Sequence, residues 1–254
     1  MVRGLVTFKN HFADYCDQYV LIGGAASAEL MELSGLGFRG TRDLDIVLIV
    51  EALSLEFVKA FWDFIEKGKY GSRTQSQGEK KYYRFDKPEN EIYPECIELF
   101  SRIPDSIHFE GYGHVTPIPV GEDISSLSAI LLDADYYNMI TEGSTEVDGL
   151  SCLKPEYIII LKAKAWLDMN LRLSTGEKID SKDIKKHRND VLRLFPILEP
   201  ALRVEVTEAI QNDLKIFFES INRDTTINLK DLGINRISLP EIVRRIRQIY
   251  GLSN

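Results

Sequence analysis

The sequence predicts an α+β fold, in which a mixed β-sheet core over residues 1–150 is followed by a helical domain over residues 151–254. Short apolar runs rich in β-branched residues, Tyr19–Ile22 and 46–50, are typical of buried strands. Pro155 then precedes a long stretch with apolar residues at helical spacing, and proline is favoured in the first turn of a helix. These signals place the strands first and the helices last.

The individual elements follow from the period of the apolar residues. Helical spacing predicts helices over residues 5–15, 25–33 and 53–66. Short runs bounded by turn residues predict further strands over 81–85, 96–102, 115–120, 128–133 and 136–141. After Pro155, helical spacing recurs over 156–171, 181–195, 204–221 and 239–250. The second part of the chain should therefore contain helices only.

Length and composition are those of an ordinary globular protein. The 254 residues are 44% hydrophobic and 28% charged, enough to bury a full core. The net charge of −8 argues against bulk attraction to nucleic acid or an anionic membrane, but it is compatible with a local basic patch. The cysteines Cys16, Cys96 and Cys152 are too far apart to suggest a metal site or a disulfide framework. With neither a signal peptide nor an apolar run of ~20 residues, a cytoplasmic location and no membrane partner are expected.

A glycine pair and an acid pair carry the main chemical signal. Gly23 and Gly24 follow the first predicted strand, and Asp43 and Asp45 open the second. Alternate residues of a strand share a face, so the two carboxylates should lie side by side, where they repel each other unless a cation separates them. Hard oxygen ligands of this kind suit Mg²⁺. A glycine turn at the start of a helix can bind phosphate through its N–H groups.

A third acid would complete a two-metal site, and Glu98 is the best candidate. Ile97 and Leu99 alternate with it, so they should face the core and leave Glu98 on the side of the two aspartates. Glu95 and Glu91 are the alternatives.

The loop between the glycine pair and the acids contains a misleading pattern. Residues 35–40 match G-x-G-x-x-G, but they follow a predicted helix and precede a strand, the reverse of a dinucleotide-binding fingerprint. We therefore reject a Rossmann fold. Arg39 and Arg42, in or beside this loop, could meet phosphate or could be solvated loop charges.

The order of a glycine pair, a short helix and Thr41-x-Asp43-x-Asp45 resembles the signature of the nucleotidyltransferase superfamily, which has the DNA polymerase β-like fold. Lys162 in an apolar helix and the Lys182-Asp183 pair that opens the next one resemble AbiEii/AbiGii-type toxin nucleotidyltransferases. The chain departs from the superfamily pattern at Gly24, where serine is frequent, and at Glu98, where many relatives carry aspartate. By this resemblance magnesium would bind at Asp43, Asp45 and Glu98, Asp183 would act as a base or orienting residue, and the nucleotide would contact Gly23, Gly24, Arg39, Thr41, Lys162 and Lys182.

The resemblance implies a magnesium-dependent enzyme that moves a nucleoside monophosphate from a nucleoside triphosphate to an acceptor hydroxyl and releases pyrophosphate. It also implies tRNA or a protein hydroxyl as the acceptor and an antitoxin partner, in a toxin–antitoxin or phage-defence setting. Two alternatives stay open: a small-molecule, antibiotic-type nucleotidyltransferase, which an acidic surface would suit, and a nucleotide-binding protein with weak catalysis. Two basic clusters are either solvated helix faces or docking surfaces for RNA: Lys182, Lys185, Lys186, His187, Arg188 and Arg193, and Arg236, Arg244, Arg245 and Arg247.

Overall fold

The computed structural model describes residues 2–72, 84–101, 130 and 133–252. The chain divides into two compact units, Met1–Lys154 and Pro155–Asn254. The boundary between the units lies four residues beyond the predicted one at residue 150. The strand predicted over 115–120 lies outside the described residues, as do most of those predicted over 81–85 and 128–133.

The first unit is built on a mixed sheet. Within its described part, the elements are α1 (Leu5–Phe12), β1 (Tyr19–Ile22), α2 (Gly23–Leu33), β2 (Asp43–Leu48), α3 (Leu55–Gly68), β3 (Gly71–Ser72), β4 (Arg84–Asp86), β5 (Cys96–Phe100), α4 (Ala134–Gly143), β6 (Ser144–Val147) and β7 (Leu150–Leu153). The described strands have the order β3-β4-β5-β2-β1-β7-β6. β1 is antiparallel to β2 and parallel to β7, while β2 is parallel to β5. The predicted α+β class with a mixed sheet is confirmed.

Aromatic side chains hold the helices of this unit together. Phe8 and Phe12 of α1 have ring centroids 5.8 and 5.3 Å from that of Phe64 in α3. Phe8 also meets Tyr19 of β1 edge to face, at 5.4 Å. All four residues of β1 are buried. The apolar run that predicted this strand is therefore explained by its central position in the sheet.

The strand predicted over residues 136–141 is wrong, because this segment lies inside α4. Asp133 caps the helix by accepting a hydrogen bond from the amide of Asp135 at 2.9 Å. Tyr136 and Ile140, four positions apart, are both buried. Helical capping and burial along one helix face outweigh the preference of tyrosine for strands.

The hairpin β6–β7 was not predicted. Its turn is Asp148-Gly149, with φ values of 49° and 72°. Two consecutive positive φ angles are what a two-residue hairpin turn requires, and Asp-Gly is a strong sequence signal for it. The signal was therefore present in the sequence.

The second unit is helical in its described part, as predicted. It contains α5 (Pro155–Ser174), α6 (Ser181–Leu194), α7 (Glu208–Asn222) and α8 (Leu239–Ile249). Trp166 and Phe217 join α5 to α7 edge to face, with centroids 5.4 Å apart. The hydroxyl of buried Tyr250 donates to the carbonyl of Glu156 at 2.6 Å. Among the helices of the described ranges, none combines the length and the apolar character needed to cross a membrane.

Candidate active site

The acid strand β2 brings two carboxylates to one face. Asp43 and Asp45 are half-buried, while Leu44 and Ile46 between and after them are buried. β5 pairs with β2 in parallel and places Glu98 beside Asp45. Paired residues on neighbouring strands project from the same face of a sheet, so these three carboxylates share one surface. The positions agree with the sequence prediction; the metal-binding and catalytic roles stay predictions.

The sequence reasoning missed Arg84 and Asp86, which lie on the next strand, β4, in register with β5. β4 is antiparallel to β5, which places Arg84 opposite Glu98 and Asp86 opposite Cys96. The Arg84 guanidinium donates a hydrogen bond to the Glu98 carboxylate. Its other nitrogens lie 3.8 Å from Asp43 Oδ1 and 4.0 Å from Asp86 Oδ2. Among the residues that the structure describes, Arg84 is therefore a cation that contacts this acid face.

Electrostatics reinforce the charge of Arg84. Burial lowers the pKa of its guanidinium, but Glu98, Cys96 and Asp43 together raise that pKa above its ordinary value. Burial also raises the pKa of the Cys96 thiol, which adjoins Asp43. The acids around Arg84 thus favour its charged form, and burial favours the neutral form of the Cys96 thiol.

The glycine turn approaches the acid strand closely. Gly23 has a φ of +67°, and a Cβ on it would overlap Asp45 Oδ2. A Cβ on Gly24 would stand 2.6 Å from Thr41 Oγ1 and 3.4 Å from an Arg39 nitrogen. Only glycine leaves room for this approach at both positions. The predicted phosphate-binding turn therefore lies directly against Asp45, Thr41 and Arg39.

The loop arginines have different surroundings. Arg39 lies with its guanidinium carbon 5.4 Å from the Phe38 ring centroid, and it donates to the carbonyl of Gly40. Arg42 is 77% exposed and lies 3.3 Å from Glu95 Oε1. Arg39 is thus beside the glycine turn, while Arg42 is paired outside it. Of the alternative third acids, Glu91 and Glu95 precede β5, whereas Glu98 lies within it and is paired with Asp45, so the strand register favours Glu98.

The side chains of Asp43, Asp45 and Glu98 offer carboxylate oxygens, which Mg²⁺ prefers as ligands. The pairing of β2 with β5 also brings these side chains to neighbouring positions of the sheet. They are not gathered into a finished ligand set: in the ranges given above, no three Asp, Glu, His or Cys side chains converge on one point. Glu98 is paired with Arg84 instead.

Lys162 in the second unit is a buried ion-pair partner. Its ammonium lies 3.1 Å from Oδ2 of Asp190, which is fully buried, and Arg193 lies 3.4 Å from the other oxygen. A buried charge needs such a partner, so the pair explains a lysine in an apolar helix. The predicted contact of Lys162 with phosphate stays a prediction.

The Lys182-Asp183 pair lies in the first turn of α6, and both side chains are exposed. The N-cap is Asp180, which accepts a hydrogen bond from the amide of Lys182 at 2.8 Å. An acid in the first turn also complements the helix dipole. The structure therefore gives Asp183 a local reason to be acidic, and its catalytic role is untested.

The proposed basic surface on α6 needs one correction. Arg188 is only 6% exposed and donates to Asp224, so it cannot belong to an exposed docking face. It lies four residues after buried Ile184, on the inner side of the helix. Lys185 and Lys186 are exposed. The outer face of α6 keeps its positive charge without Arg188.

The second basic cluster is partly neutralised. Arg244 and Arg245 both donate to Glu241, at 2.8 and 2.6 Å. Their hydrogen bonds lower the pKa of Glu241 to about 2. Glu241 therefore offsets part of the positive charge of this cluster.

Comparisons with known proteins leave the family open. No family model matches the sequence, and no curated protein matches it. A similar solved structure is that of an antigenic nucleotidyltransferase-like protein from Paracoccidioides brasiliensis, at 15% identity, over 85% of this chain and 88% of that one, with a TM-score of 0.43. Another is JHP933 from Helicobacter pylori, at 12% identity, over 97% and 87%, with a TM-score of 0.39. At these values neither likeness bears on function, which must be judged from the site.

Proposed function

We propose that this protein is a magnesium-dependent nucleotidyltransferase, which moves a nucleoside monophosphate from a nucleoside triphosphate to an acceptor hydroxyl. One observation carries the proposal: the Gly23-Gly24 turn lies against Asp45 and Thr41, and Glu98 adjoins Asp45 on the next strand. A turn suited to phosphate and carboxylates suited to a divalent cation therefore meet at one place.

Each residue of the site has a role in this reaction. Asp43, Asp45 and Glu98 would hold Mg²⁺, which when bound neutralises charge on the phosphates and lowers the pKa of the acceptor hydroxyl. The N–H groups of the first turn of α2, beginning at Gly23, would bind the distal phosphates. Thr41 and Arg39 border the same turn, where a hydroxyl and a guanidinium can donate to phosphate oxygens.

The test is transfer of label from each of the four α-³²P nucleoside triphosphates to total RNA in the presence of Mg²⁺. We expect labelled RNA and stoichiometric pyrophosphate release. Asp45→Asn should reduce transfer at least about a hundredfold, which corresponds to ~2.7 kcal/mol of transition-state stabilisation. The matched control is Asp17→Asn, an exposed acid of the same unit. Full transfer by the Asp45 variant would contradict the proposal.

We further propose RNA, with tRNA as the first candidate, as the acceptor, docked on Lys185 and Lys186. The support is two adjacent exposed lysines on a chain of net charge −8. Lys185→Glu with Lys186→Glu should abolish RNA labelling and leave nucleotide binding unchanged. The control, Lys178→Glu with Lys230→Glu, makes the same change in charge at two exposed positions elsewhere in the unit.

Salt gives a second measurement of the acceptor. Labelling of RNA should fall steeply as salt rises, because phosphate contacts release counterions. Modification that does not depend on salt, or a double-lysine variant as active as the parent, would indicate a small-molecule or protein acceptor instead.

A further inference from the structure

Arg84 holds the carboxylate that the proposed site would use as its third metal ligand. We infer that Arg84 and a divalent cation compete for Glu98, so that Arg84 sets the metal affinity of the site. This inference rests on the proposed function, because it concerns the same carboxylates.

The backbone fixes the competition. Arg84 is the antiparallel partner of Glu98, and Asp45 is the parallel partner of Glu98 on its other side. Glu98 therefore stands between an arginine and an aspartate in one row of the sheet. Its carboxylate can turn toward the cation held by the aspartates or toward the guanidinium, and here it accepts a hydrogen bond from the guanidinium. Both cations need the same acceptor.

Deprotonation cannot release Arg84. A guanidinium stays charged at any physiological pH, so a metal must displace it rather than wait for it to become neutral. The arginine is enclosed by acids, since Asp43 lies 3.8 Å away as well. The free-energy cost of breaking the Arg84–Glu98 pair therefore opposes metal binding throughout the physiological pH range.

A second acid offers Arg84 an alternative partner. Asp86 lies two residues further along the same strand, with its carboxylate 4.0 Å from Arg84 Nε and its side chain 14% exposed. A displaced guanidinium can move toward Asp86 without leaving the acid face. The two arrangements differ in the partner of Glu98, which is arginine in one and metal in the other.

The experiment is a titration of the full chain with Mn²⁺ alone, followed by electron paramagnetic resonance of free Mn²⁺. Arg84→Met replaces the aliphatic stem of the arginine with an unbranched side chain of similar length and removes the charge. It should bind Mn²⁺ about tenfold more tightly than the parent, a change that corresponds to ~1.4 kcal/mol. Asp45→Asn identifies the site, because binding that it abolishes occurs there.

The matched control is Arg42→Met, which removes the same charge from an exposed arginine of the same unit, paired with Glu95. It should leave Mn²⁺ affinity within about twofold of the parent, since exposed charges are screened. A double-mutant cycle isolates the coupling: on a Glu98→Gln background, Arg84→Met should lose most of its effect. Thermal unfolding of each variant checks that the fold is kept.

The possible results separate the two proposals. Asp45-dependent binding that is equal in the parent and in Arg84→Met would overturn the competition and leave the proposed metal site intact. The same increase in Arg84→Met and Arg42→Met would also overturn it, because the effect would then be general charge. If no variant shows Asp45-dependent binding, the metal site and the competition are both wrong.

Discussion

Gly23 leaves no room for a side chain against Asp45: a Cβ would overlap Oδ2 and would stand 3.0 Å from Cγ. The glycine turn at the end of β1 and the acid strand β2 are therefore in direct contact. A change in either one must move the other.

The first prediction concerns this contact. Gly23→Ala should lower the free energy of unfolding by about 1–3 kcal/mol, because a φ of +67° disfavours any Cβ and the added methyl displaces the Asp45 carboxylate. Asp45-dependent Mn²⁺ binding should weaken in parallel. Urea unfolding followed by Trp62 fluorescence, in a Trp166→Phe background, reports on the first unit alone. Gly37→Ala is the control, since a Cβ there meets nothing within 4 Å. Equal stability of the two variants would contradict the prediction that a side chain at Gly23 is strained.

The second prediction concerns Gly24 and Thr41. Gly24→Ala should weaken triphosphate binding, because its Cβ would stand 2.6 Å from Thr41 Oγ1 and push the threonine out of the site. Removing that oxygen in Gly24→Ala/Thr41→Ala should recover part of the stability lost in the single Gly24 variant. Calorimetric titration and unfolding of the four proteins form a double-mutant cycle. Strict additivity would mean that the two residues do not interact.

The third prediction separates two roles of Lys162. Lys162→Met should destabilise the second unit by about 1.5–3 kcal/mol, because it removes one of the two cations that lie against the fully buried Asp190. Trp166 fluorescence in a Trp62→Phe background follows this unit. Lys162→Met/Asp190→Leu should be more stable than the single variant, since the buried carboxylate is then removed together with its lysine partner. A single variant with unchanged stability would contradict the structural role of Lys162.

The fourth prediction is a pH dependence from Asp224. Burial raises its pKa, but hydrogen bonds from Thr226 and the charge of Arg188 outweigh this and lower the pKa below the ordinary value. The unfolded chain then binds the proton first as pH falls, so the stabilisation is complete above the ordinary carboxyl pKa of about 3.9 and is lost through the lower folded value.

Asp224→Asn should therefore be less stable than the parent by about 1.5–3 kcal/mol at pH 7, the range for a hydrogen bond to a charged group. The difference should shrink below about pH 4, as the parent loses the same interaction. Urea midpoints between pH 3 and pH 7, read from Trp166, measure this. A difference that stays constant with pH would exclude the charge of Asp224 as its cause.

Those parts of the site that depend only on the alternation of residues along a strand could be predicted from the sequence. Alternation along a strand puts Asp43 and Asp45 on one face, and buried neighbours put Glu98 on the same one. Arg84 could not be found in this way. Its partner depends on which strands lie side by side, and a single sequence does not show that order.

Burial of charged residues was equally hidden. In the sequence Arg188 is one of several neighbouring basic residues, but in the fold its side chain is buried and donates to Asp224. The strand prediction for residues 136–141 was wrong for a related reason. Tyrosine favours strands, but here Tyr136 and Tyr137 are buried on a helix that Asp133 caps. In contrast, the Asp148-Gly149 hairpin turn was readable from the sequence, since it depends only on two adjacent residues.

The position of β1 in the sheet has a consequence for synthesis on the ribosome. One edge of β1 is covered by β2, which is made soon afterwards, but its other edge pairs Leu21 with Cys152 of β7. A nascent chain that has not yet reached β7 therefore leaves an apolar strand with free backbone donors and acceptors, open to pairing with other chains. Chains stalled or truncated before residue 150 should then depend on chaperones, whereas chains released beyond β7 can close this edge themselves.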